Sequence, residues 1–335
     1  MIEIDAGYGS GGGQVLRTAI GLSALTGLEV RLYNIRAKRP QPGLKEQHLR
    51  ALLGVAEICG GKVEGASLGS RQITFYPGEL KPGIYKFHIS TAGSVTLFLQ
   101  AILLPALKGR FSIEIKGGGT FGKWAPPFPY YEDILFPFLE RMGYPVQGRV
   151  LREGFYPKGG AHLFIETQPA SLQPLFLPEK GSLKEIKCLS IATRDLSTAK
   201  VAERQAKAFK KLLLEKGLPE PKLMIKYVSA SSTGSAICAV AVTEHSLIGA
   251  NSLGEKGKRA EIVGRECADK LLEELKGAVD SHAGDQLLPY LALTGGEILV
   301  SRVTDHLLTN AWVIEKFLPV KIEIKGRKVR IIKNA

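Results

Sequence analysis

The chain has 335 residues, of which 44% are hydrophobic and 23% are charged, and its mean hydropathy is +0.03. Such a chain can bury a large core, so the composition excludes a mainly disordered protein and the length excludes a single small module. Forty-five Lys and Arg residues against 32 Asp and Glu residues give a net charge of +13. This excess favours an anionic partner, nucleic acid or nucleotide, with a generally basic surface as the alternative.

No stretch of the sequence reaches the roughly 18 uninterrupted apolar residues of a membrane span, and the first residues lack the basic and apolar regions of a signal peptide. We therefore expect a cytoplasmic protein with no membrane partner. The four cysteines are isolated, without a CxxC pair or a close histidine, which predicts reduced, buried thiols and no zinc site. They are Cys59, Cys188, Cys238 and Cys267.

One order of segments occurs three times along the chain, as in proteins built from structural repeats. In the first copy, the hydrophobic periods predict the order β-α-β-α-β-β. Its elements are residues 2–4, 14–25, 30–35, 44–58, 62–64 and 71–76, and glycines at 27 and 60–61 close the two helices. The second copy comprises strand 85–89, helix 95–107, strand 111–116, a glycine loop at 117–120, helix 130–142, and strands 146–151 and 162–167.

The third copy begins near residue 277 and contains helix 286–293, strand 297–303, a helix that ends at Phe317, and strands 320–324 and 328–332. Between the second and third copies, strands 185–192, 222–228 and 236–242 alternate with helices 199–215 and 259–275, and linker-like segments flank them at 169–181 and 278–284. The sequence therefore predicts an α/β fold whose main body is three β-α-β-α-β-β repeats packed around a common axis. Residues 1–182 and 277–335 would form this three-repeat body, and residues 183–276 a small inserted α/β domain.

Unusual residues lie in the loops after the first and second strands of each copy, which repeats bring together at a shared cleft. Residues 7–12 formally match GxGxxG between a strand and a helix, but the match to a dinucleotide site is weak because Arg36 and Arg39 lie where a carboxylate is expected. The absence of a GKS or GKT sequence excludes a P-loop. Glycines before a helix still present N–H groups to an anion, with close helix-to-sheet packing as the alternative.

Four further residues are candidates for chemistry. Arg36 and Arg39 lie three residues apart in one loop, which predicts bidentate phosphate binding. A solvated basic loop without a ligand is the alternative. His48 follows Gln47 on an amphipathic helix, where a packed or surface histidine is the more common outcome. His306 lies beside Asp305 near a helix N-terminus, which lowers the pKa of an imidazole and favours its neutral, nucleophilic form. A histidine beside an N-cap with no chemical role is the alternative.

Together these residues resemble the RNA 3'-terminal phosphate cyclase family over nearly the whole chain. The motifs that carry the resemblance are residues 11–17 (GGGQVLR), 35–37 (IRA), 42–44 (PGL), 47–49 (QHL), 56–60 (AEICG), 154–160 (GFYPKGG), 285–286 (DQ) and 306–310 (HLLTN). The last two carry the most weight. The family's architecture is also similar to the repeat body with an insertion predicted above.

The resemblance implies an enzyme that uses ATP and a divalent metal, Mg²⁺ or Mn²⁺, to convert an RNA 3'-phosphate into a 2',3'-cyclic phosphate, releasing AMP and diphosphate. It implies that His306 attacks the ATP α-phosphate and forms an adenylyl-histidine. Phosphate or RNA binding is implied for Arg17, Arg36, Arg39, Gln47 and His48. ATP binding is implied for Gln100, Pro127, Tyr130, His282, Ala283, Gly284, Asp285 and Gln286, with Trp124 as a further aromatic candidate beside Tyr130 for the adenine.

Four positions depart from the family pattern. Ser10 replaces the glutamate associated with the metal, which leaves the protein's metal ligands unknown, although water or the phosphates of ATP can supply oxygen ligands. Phe121 replaces an acidic or amide residue, and Glu153 and Ala161 replace a basic residue and a glycine.

Two alternatives follow: a non-catalytic cyclase-like RNA-binding or ribosome-assembly protein, and an enolpyruvyl transferase of similar repeat architecture. The retained His306 argues against both. The resemblance leaves a homodimer possible.

Overall fold

A computed structural model describes residues 1–9 and 11–333. Its helices and four-stranded mixed sheets confirm the predicted α/β class. Across the described residues, no helix combines the length and the apolar character needed to cross a bilayer. All four cysteines are buried and free, as their spacing predicted.

The first sheet has the order β1-β2-β4-β3, in which β1 and β2 are parallel and the remaining pairs are antiparallel. Its strands are β1 (Ile2–Asp5), β2 (Val30–Tyr33), β3 (Lys62–Glu64) and β4 (Ile73–Tyr76), and its helices are α1 (Gln14–Thr26) and α2 (Glu46–Cys59). Both helices end at a glycine in the left-handed conformation, Gly27 and Gly60, as predicted.

The second sheet repeats this topology in the order β5-β6-β8-β7. Its strands are β5 (Gly83–Ser94), β6 (Phe111–Gly119), β7 (Val146–Arg152) and β8 (His162–Thr167). Helix α3 (Val95–Ala106) follows β5, and α4 (Phe128–Tyr130) and α5 (Phe136–Arg141) flank a π-helical turn, Tyr131–Leu135. Pro137 lacks the N–H that a regular helix needs at this point, which accounts for the widened turn.

A third sheet has the same pattern in the order β9-β14-β16-β15, with β9 and β14 parallel. Its strands are β9 (Leu175–Leu177), β14 (Gly296–Leu299), β15 (Val320–Lys325) and β16 (Lys328–Lys333), and its helices are α8 (Ser281–Gln286), α9 (Leu288–Thr294) and α10 (Asp305–Phe317). Three sheets thus share one strand order and one pairing pattern. Their packing around a common axis stays a prediction.

A fourth sheet, order β11-β10-β12-β13, is formed between β9 and α8 of the third unit. It contains β10 (Leu183–Thr193), β11 (Lys222–Val228), β12 (Ser235–Thr243) and β13 (Leu247–Leu253), covered by α6 (Val201–Glu215) and α7 (Ala260–Glu274), with a 3-10 turn at Arg194–Leu196. Its own apolar cluster includes Ile186, Phe209 and Leu271, whereas a larger cluster runs through the other three sheets.

Several elements differ from the sequence prediction. The linker predicted at 169–181 contains β9, which is too short for a periodic signal and is stabilised by pairing with β14. Strand β13 was not predicted because its centre, Gly249-Ala250-Asn251-Ser252, consists of weak strand formers. The glycine loop predicted at 117–120 was wrong in part, since β6 continues through Gly119 beside β5. The helix predicted at 286–293 corresponds to α9, which has Pro289 in its first turn, whereas the linker predicted at 278–284 contains most of α8.

Helix α1 occupies the centre of the body, where it packs against α2, α3 and α10. Its N-terminus follows the glycine-rich turn after β1, and the N-termini of α2 and α10 approach the same end. Gly21 lets α1 approach α3 closely, because a Cβ atom there would lie 3.1 Å from the carbonyl oxygen of Ala101. The candidate site lies where these three helix N-termini meet.

Candidate active site

His306 is the second residue of α10 and its side chain is exposed. Thr304 caps this helix, since its hydroxyl accepts a 3.0 Å hydrogen bond from the Leu307 N–H. The Nδ1 atom of His306 contacts Oε1 of Gln14, the first residue of α1. Because the amide oxygen only accepts, Nδ1 carries the proton and Nε2 keeps a free lone pair.

The surroundings of His306 lower the pKa of its imidazole below the ordinary value of 6.5. Desolvation is the largest cause, followed by the positive charge of Arg17, and Asp305 opposes the shift. The imidazole is therefore neutral at pH 7, and its unprotonated nitrogen is nucleophilic.

Gln14 also connects His306 to Asp285, because its Nε2 lies 3.5 Å from Oδ2 of that carboxyl group. Asp285 is buried, which raises its pKa to about 8, while the nearby Arg17 acts in the opposite direction. In this contact the Gln14 N–H donates and an oxygen of the Asp285 carboxyl group accepts.

Arg17 lies one turn beyond Gln14 on α1 and is only 7% exposed. Burial lowers the pKa of its guanidinium to about 10, which still leaves it charged at neutral pH. Its Nε donates a 2.9 Å hydrogen bond to Oε1 of Gln100 on α3. The structure thus places two further predicted residues, Gln100 and Asp285, near the buried guanidinium group of Arg17.

His48 is buried against the same end of α1. Its Nδ1 accepts a 3.2 Å hydrogen bond from the Lys45 N–H, so Nε2 carries the proton. Burial, with Arg17 as the next cause, lowers the pKa of His48 to about 3. A Cβ atom on Gly13 would lie 2.0 Å from Nε2 of His48 and 3.1 Å from a guanidinium nitrogen of Arg17. The third glycine of GGG is therefore required by the close approach of His48.

The basic loop is held against the glycine-rich turn. Arg36 adopts a left-handed conformation with φ of 54°, and its guanidinium donates hydrogen bonds to the carbonyl oxygens of Gln41 and Gly43 at 2.6 and 3.0 Å. Lys38 Nζ lies 3.0 Å from the Gly9 carbonyl oxygen. Arg36 therefore braces its own loop, while Arg39 is exposed and available to an anion. Burial and the charge of Arg39 lower the pKa of Arg36.

The segment from His282 to Gln286 forms helix α8, which is capped by the buried Asp280. One carboxylate oxygen of Asp280 accepts from the His282 and Ala283 N–H groups and from the Tyr130 hydroxyl, at 3.0, 2.9 and 2.6 Å. Tyr130 is buried, with the imidazole of His282 edge-on to its ring at 5.9 Å. Of these two rings, that of His282 is the exposed one, so a nucleobase can reach it.

The remaining predicted residues lie around these contacts. Gln286 and Gln100 line a cavity of about 20 Å³ beside Thr18 and Tyr290, large enough for one water molecule. The Gln286 Oε1 atom is buried and has no hydrogen-bond partner in the described part of the chain. The other predicted site residues differ in exposure. Ala283 and Gly284 are buried within α8, and Pro127 is buried before α4. Gln47 is half-buried beside Gly93, and Trp124 is 95% exposed.

Sequence reasoning did not assign roles to Gln14, Asp280 and Asn310. The Asn310 amide spans two elements: its Nδ2 donates to the Asp285 carbonyl oxygen at 2.9 Å, and its Oδ1 accepts from the Thr18 hydroxyl at 2.6 Å. The role of Asp280 could have been predicted from the sequence, because aspartate is a preferred N-cap residue directly before a helix. The other two roles depend on contacts between distant segments.

The described residues do not build a metal site from protein ligands alone, because no three His, Cys, Asp or Glu side chains among them cluster suitably. Ser10 lies outside the described residues. Phe121 stacks on Phe155 with ring centres 4.9 Å apart, and the buried Glu153 accepts a 2.7 Å hydrogen bond from the Thr120 hydroxyl. Ala161 is fully buried.

Comparison with known proteins identifies this arrangement. The family model described as RNA 3'-terminal phosphate cyclase matches residues 8–324. The chain is 46% identical to a protein of that name from Methanopyrus kandleri, with 98% of this chain and 96% of the relative covered, and 44% identical to one from Pyrococcus furiosus, with both chains covered completely. A third, from Staphylothermus marinus, is 44% identical over 98% of this chain and 95% of its own. The chain belongs to the RNA 3'-terminal phosphate cyclase family.

Proposed function

We propose that this protein converts the 3'-terminal phosphate of RNA into a 2',3'-cyclic phosphate at the expense of ATP, with His306 as the nucleophile. The observation that carries the proposal is the state of His306: its Nδ1 is bound to Gln14 and its Nε2 is free at the N-terminus of α10. A neutral, oriented imidazole beside a buried arginine suits attack on a phosphate.

The reaction proceeds in three displacements at phosphorus. Nε2 of His306 attacks the α-phosphorus of ATP, forming a P–N bond and expelling diphosphate with the electrons of the broken P–O bond. An oxygen of the RNA 3'-phosphate then displaces His306, and the adenylate passes to the RNA end. The vicinal 2'-OH finally attacks the 3'-phosphorus, loses its proton to solvent and expels AMP.

The residues around His306 have separate tasks in this scheme. Arg17 offsets negative charge on the phosphoryl oxygens, and Arg39 holds a phosphate from the exposed side. Gln14 keeps His306 in the reactive tautomer. Asp285 orients Gln14 by accepting its amide N–H, and the exposed His282 presents a ring to the base of ATP.

ATP fits the polar groups of the site: the guanidinium groups of Arg17 and of the exposed Arg39 can donate to its phosphates, and the buried Oε1 of Gln286 is an acceptor without a partner among the described residues. Among the described residues, no cluster of protein side chains fits a divalent metal. We further propose that the three sheets of shared topology are repeats around a common axis, with residues 183–276 as the inserted domain.

The test is covalent labelling without RNA. Purified protein is incubated with ATP radiolabelled at the α-phosphate, with Mg²⁺ or Mn²⁺, and label retained on denatured protein is measured. We expect acid-labile, alkali-stable label that disappears in His306→Ala and persists in His245→Ala, a control at an exposed histidine of the insertion. A 3'-phosphorylated RNA should then become resistant to phosphatase and release AMP and diphosphate.

Absence of label with either metal, in protein with an intact unfolding transition, contradicts the proposal. RNA binding with a steep salt dependence in that protein would favour a non-catalytic RNA-binding role. Full cyclisation by His306→Ala would exclude the assigned nucleophile while leaving the overall activity in place.

A further inference from the structure

The outer face of the second sheet carries one row of nitrogen-bearing side chains that crosses all four strands. His88 on β5 lies opposite Lys116 on β6, Lys116 lies opposite His162 on β8, and His162 lies opposite Arg152 on β7. Directly opposed residues point to the same face of a sheet. With strands about 4.8 Å apart, the row is roughly 15 Å wide.

This row lines the floor of a groove with a volume of about 630 Å³. Lys158, from the 154–160 motif whose role the active site leaves unexplained, contributes to the wall. Two hydrogen bonds position that loop: Arg152 Nε donates to the Gly160 carbonyl oxygen at 2.5 Å, and the Lys158 N–H donates to the Ser232 hydroxyl at 3.0 Å. The groove is therefore preformed.

The charge of this face is positive. Its side chains on the four strands include Lys86, Lys116, Arg149 and Arg152 against Glu114 and Glu166. Glu114 is largely engaged within the face, since its carboxylate lies 2.9 Å from both Lys116 Nζ and His162 Nε2. The equivalent face of the first sheet carries Arg31 and Lys62 against Glu3, Asp5 and Glu64. The same topology therefore presents opposite charge balances on two sheets.

Two aromatic rings accompany these charges. Tyr156, in the loop that carries Lys158, is 77% exposed, and Phe164 lies on the sheet face with the Arg149 guanidinium 5.7 Å from its ring centre. Cations that follow a backbone, together with rings on which bases stack, are the two components of single-strand binding surfaces.

The groove leads towards the candidate active site. Ser90 lines it and donates a 3.0 Å hydrogen bond to Glu46 at the start of α2. Three residues further along the strand, a Cβ atom on Gly93 would lie 3.3 Å from the Cβ of Gln47. His48, the next residue, contacts Gly13 at the N-terminus of α1.

We propose that this groove binds the single-stranded RNA backbone upstream of the phosphorylated 3' end, with Lys116, Arg152 and Lys158 on phosphates and Tyr156 stacked on a base. The inference rests on the proposed function for the identity of the ligand. The groove would hold the part of the RNA that lies beyond the residues around His306.

The test combines RNA length with charge removal. The groove variant is Lys116→Gln with Lys158→Gln. The matched control is Lys62→Gln with Lys81→Gln. Lys62 lies on a strand and pairs with a glutamate two residues away, as Lys116 does, and Lys81 is an exposed loop lysine near the first sheet. Binding of a labelled 3'-phosphorylated 12-mer is measured by anisotropy between 50 and 200 mM salt, without ATP, and cyclisation is measured for the 12-mer and for a 3'-phosphorylated dinucleotide.

We expect the groove variant to bind the 12-mer about ten-fold more weakly and to lower the slope of log affinity against log salt by about 1.4, as two lost phosphate contacts require. Cyclisation of the dinucleotide and ATP-dependent labelling should stay within about two-fold of the parent protein, and the control should behave like the parent.

Unchanged 12-mer affinity and salt slope would overturn the inference, as would an equal loss for dinucleotide and 12-mer. These outcomes are separable from failure of the proposed function. If the parent protein forms no adenylate but the groove variant still binds RNA more weakly than the parent, the RNA path is supported and the proposed cyclase activity is contradicted. If the groove variant cyclises RNA fully and binds it as tightly as the parent, the cyclase activity is supported and the RNA path is contradicted.

Discussion

The first turns of α2 and α10 both contain a histidine, and the two imidazoles have opposite arrangements. His48 accepts a backbone hydrogen bond at Nδ1 and is buried with its Nε2 proton against Gly13. His306 uses Nδ1 on the Gln14 amide oxygen and leaves Nε2 bare and exposed. Both lie near Arg17, so charge alone does not distinguish them. The two histidines therefore differ in the partner of Nδ1, which sets the tautomer of each ring, and in their exposure.

Replacement of the two histidines should separate these roles with the largest effect. We expect His306→Ala to lose adenylate formation by about 10⁴-fold or more, since the variant lacks the imidazole nitrogen that forms the P–N bond in the proposed reaction. His48→Ala should retain covalent label while losing about 2 kcal/mol of unfolding free energy through the cavity it leaves. Single-turnover labelling and urea unfolding measure the two effects, and equal loss of label in both variants would contradict the comparison.

The contact of Gly13 with His48 should be visible in stability. Gly13→Ala places a methyl group 2.0 Å from Nε2 of His48, and we expect a loss of about 3 kcal/mol by urea unfolding. Gly122→Ala is the control, because no atom lies within 4 Å of its Cβ position. The pair Gly13→Ala with His48→Ala should be less unstable than the sum of the single variants. Strict additivity would show that the two side chains do not compete for space.

Gln14 should influence His306 through its tautomer. We expect Gln14→Leu to slow adenylate formation about 30-fold at pH 7, because the acceptor that holds the Nδ1 proton is lost. Gln14→Glu keeps an acceptor and should recover part of the rate, with the pH profile moved to higher pH as the added carboxylate raises the pKa of His306. A profile that does not move in Gln14→Glu would assign Gln14 a purely structural role.

The two histidines should also give separate pH responses, His48 in the free energy of unfolding and His306 in the labelling rate. These are the smallest of the expected effects. The pKa of His48 is about 3 in the folded protein against 6.5 for an ordinary histidine, so only the unfolded chain takes up a proton between these values. Stability therefore falls as pH decreases below 6.5, by at most about 1.4 kcal/mol per pH unit. His48→Gln should reduce this slope in urea unfolding at pH 4.5 to 6.5, while labelling loses half its rate only below pH 6.5, where His306 protonates. An unchanged slope would exclude His48 as its source.

Local signals in the sequence determined much of the fold. Glycine closes α1 and α2 at Gly27 and Gly60 because its left-handed conformation costs little, and that preference acts over one turn. The long apolar-periodic helices and the HLLTN and DQ motifs are equally local, which is why the α/β class, the family and the candidate residues followed from sequence. Strand β9 did not, because three residues become a strand only through pairing with β14, more than a hundred residues later.

The chemical state of the site was decided by tertiary structure. Gln14 and His306 are 292 positions apart, and no local pattern shows that their contact sets a tautomer. The burial that raises the pKa of Asp285 and lowers that of His48 likewise depends on which helices pack over them. The row from His88 to Arg152 exists only through strand register. Sequence determined which groups are present because side-chain chemistry and backbone preference are local, whereas proximity, desolvation and register arise only when distant segments pack together.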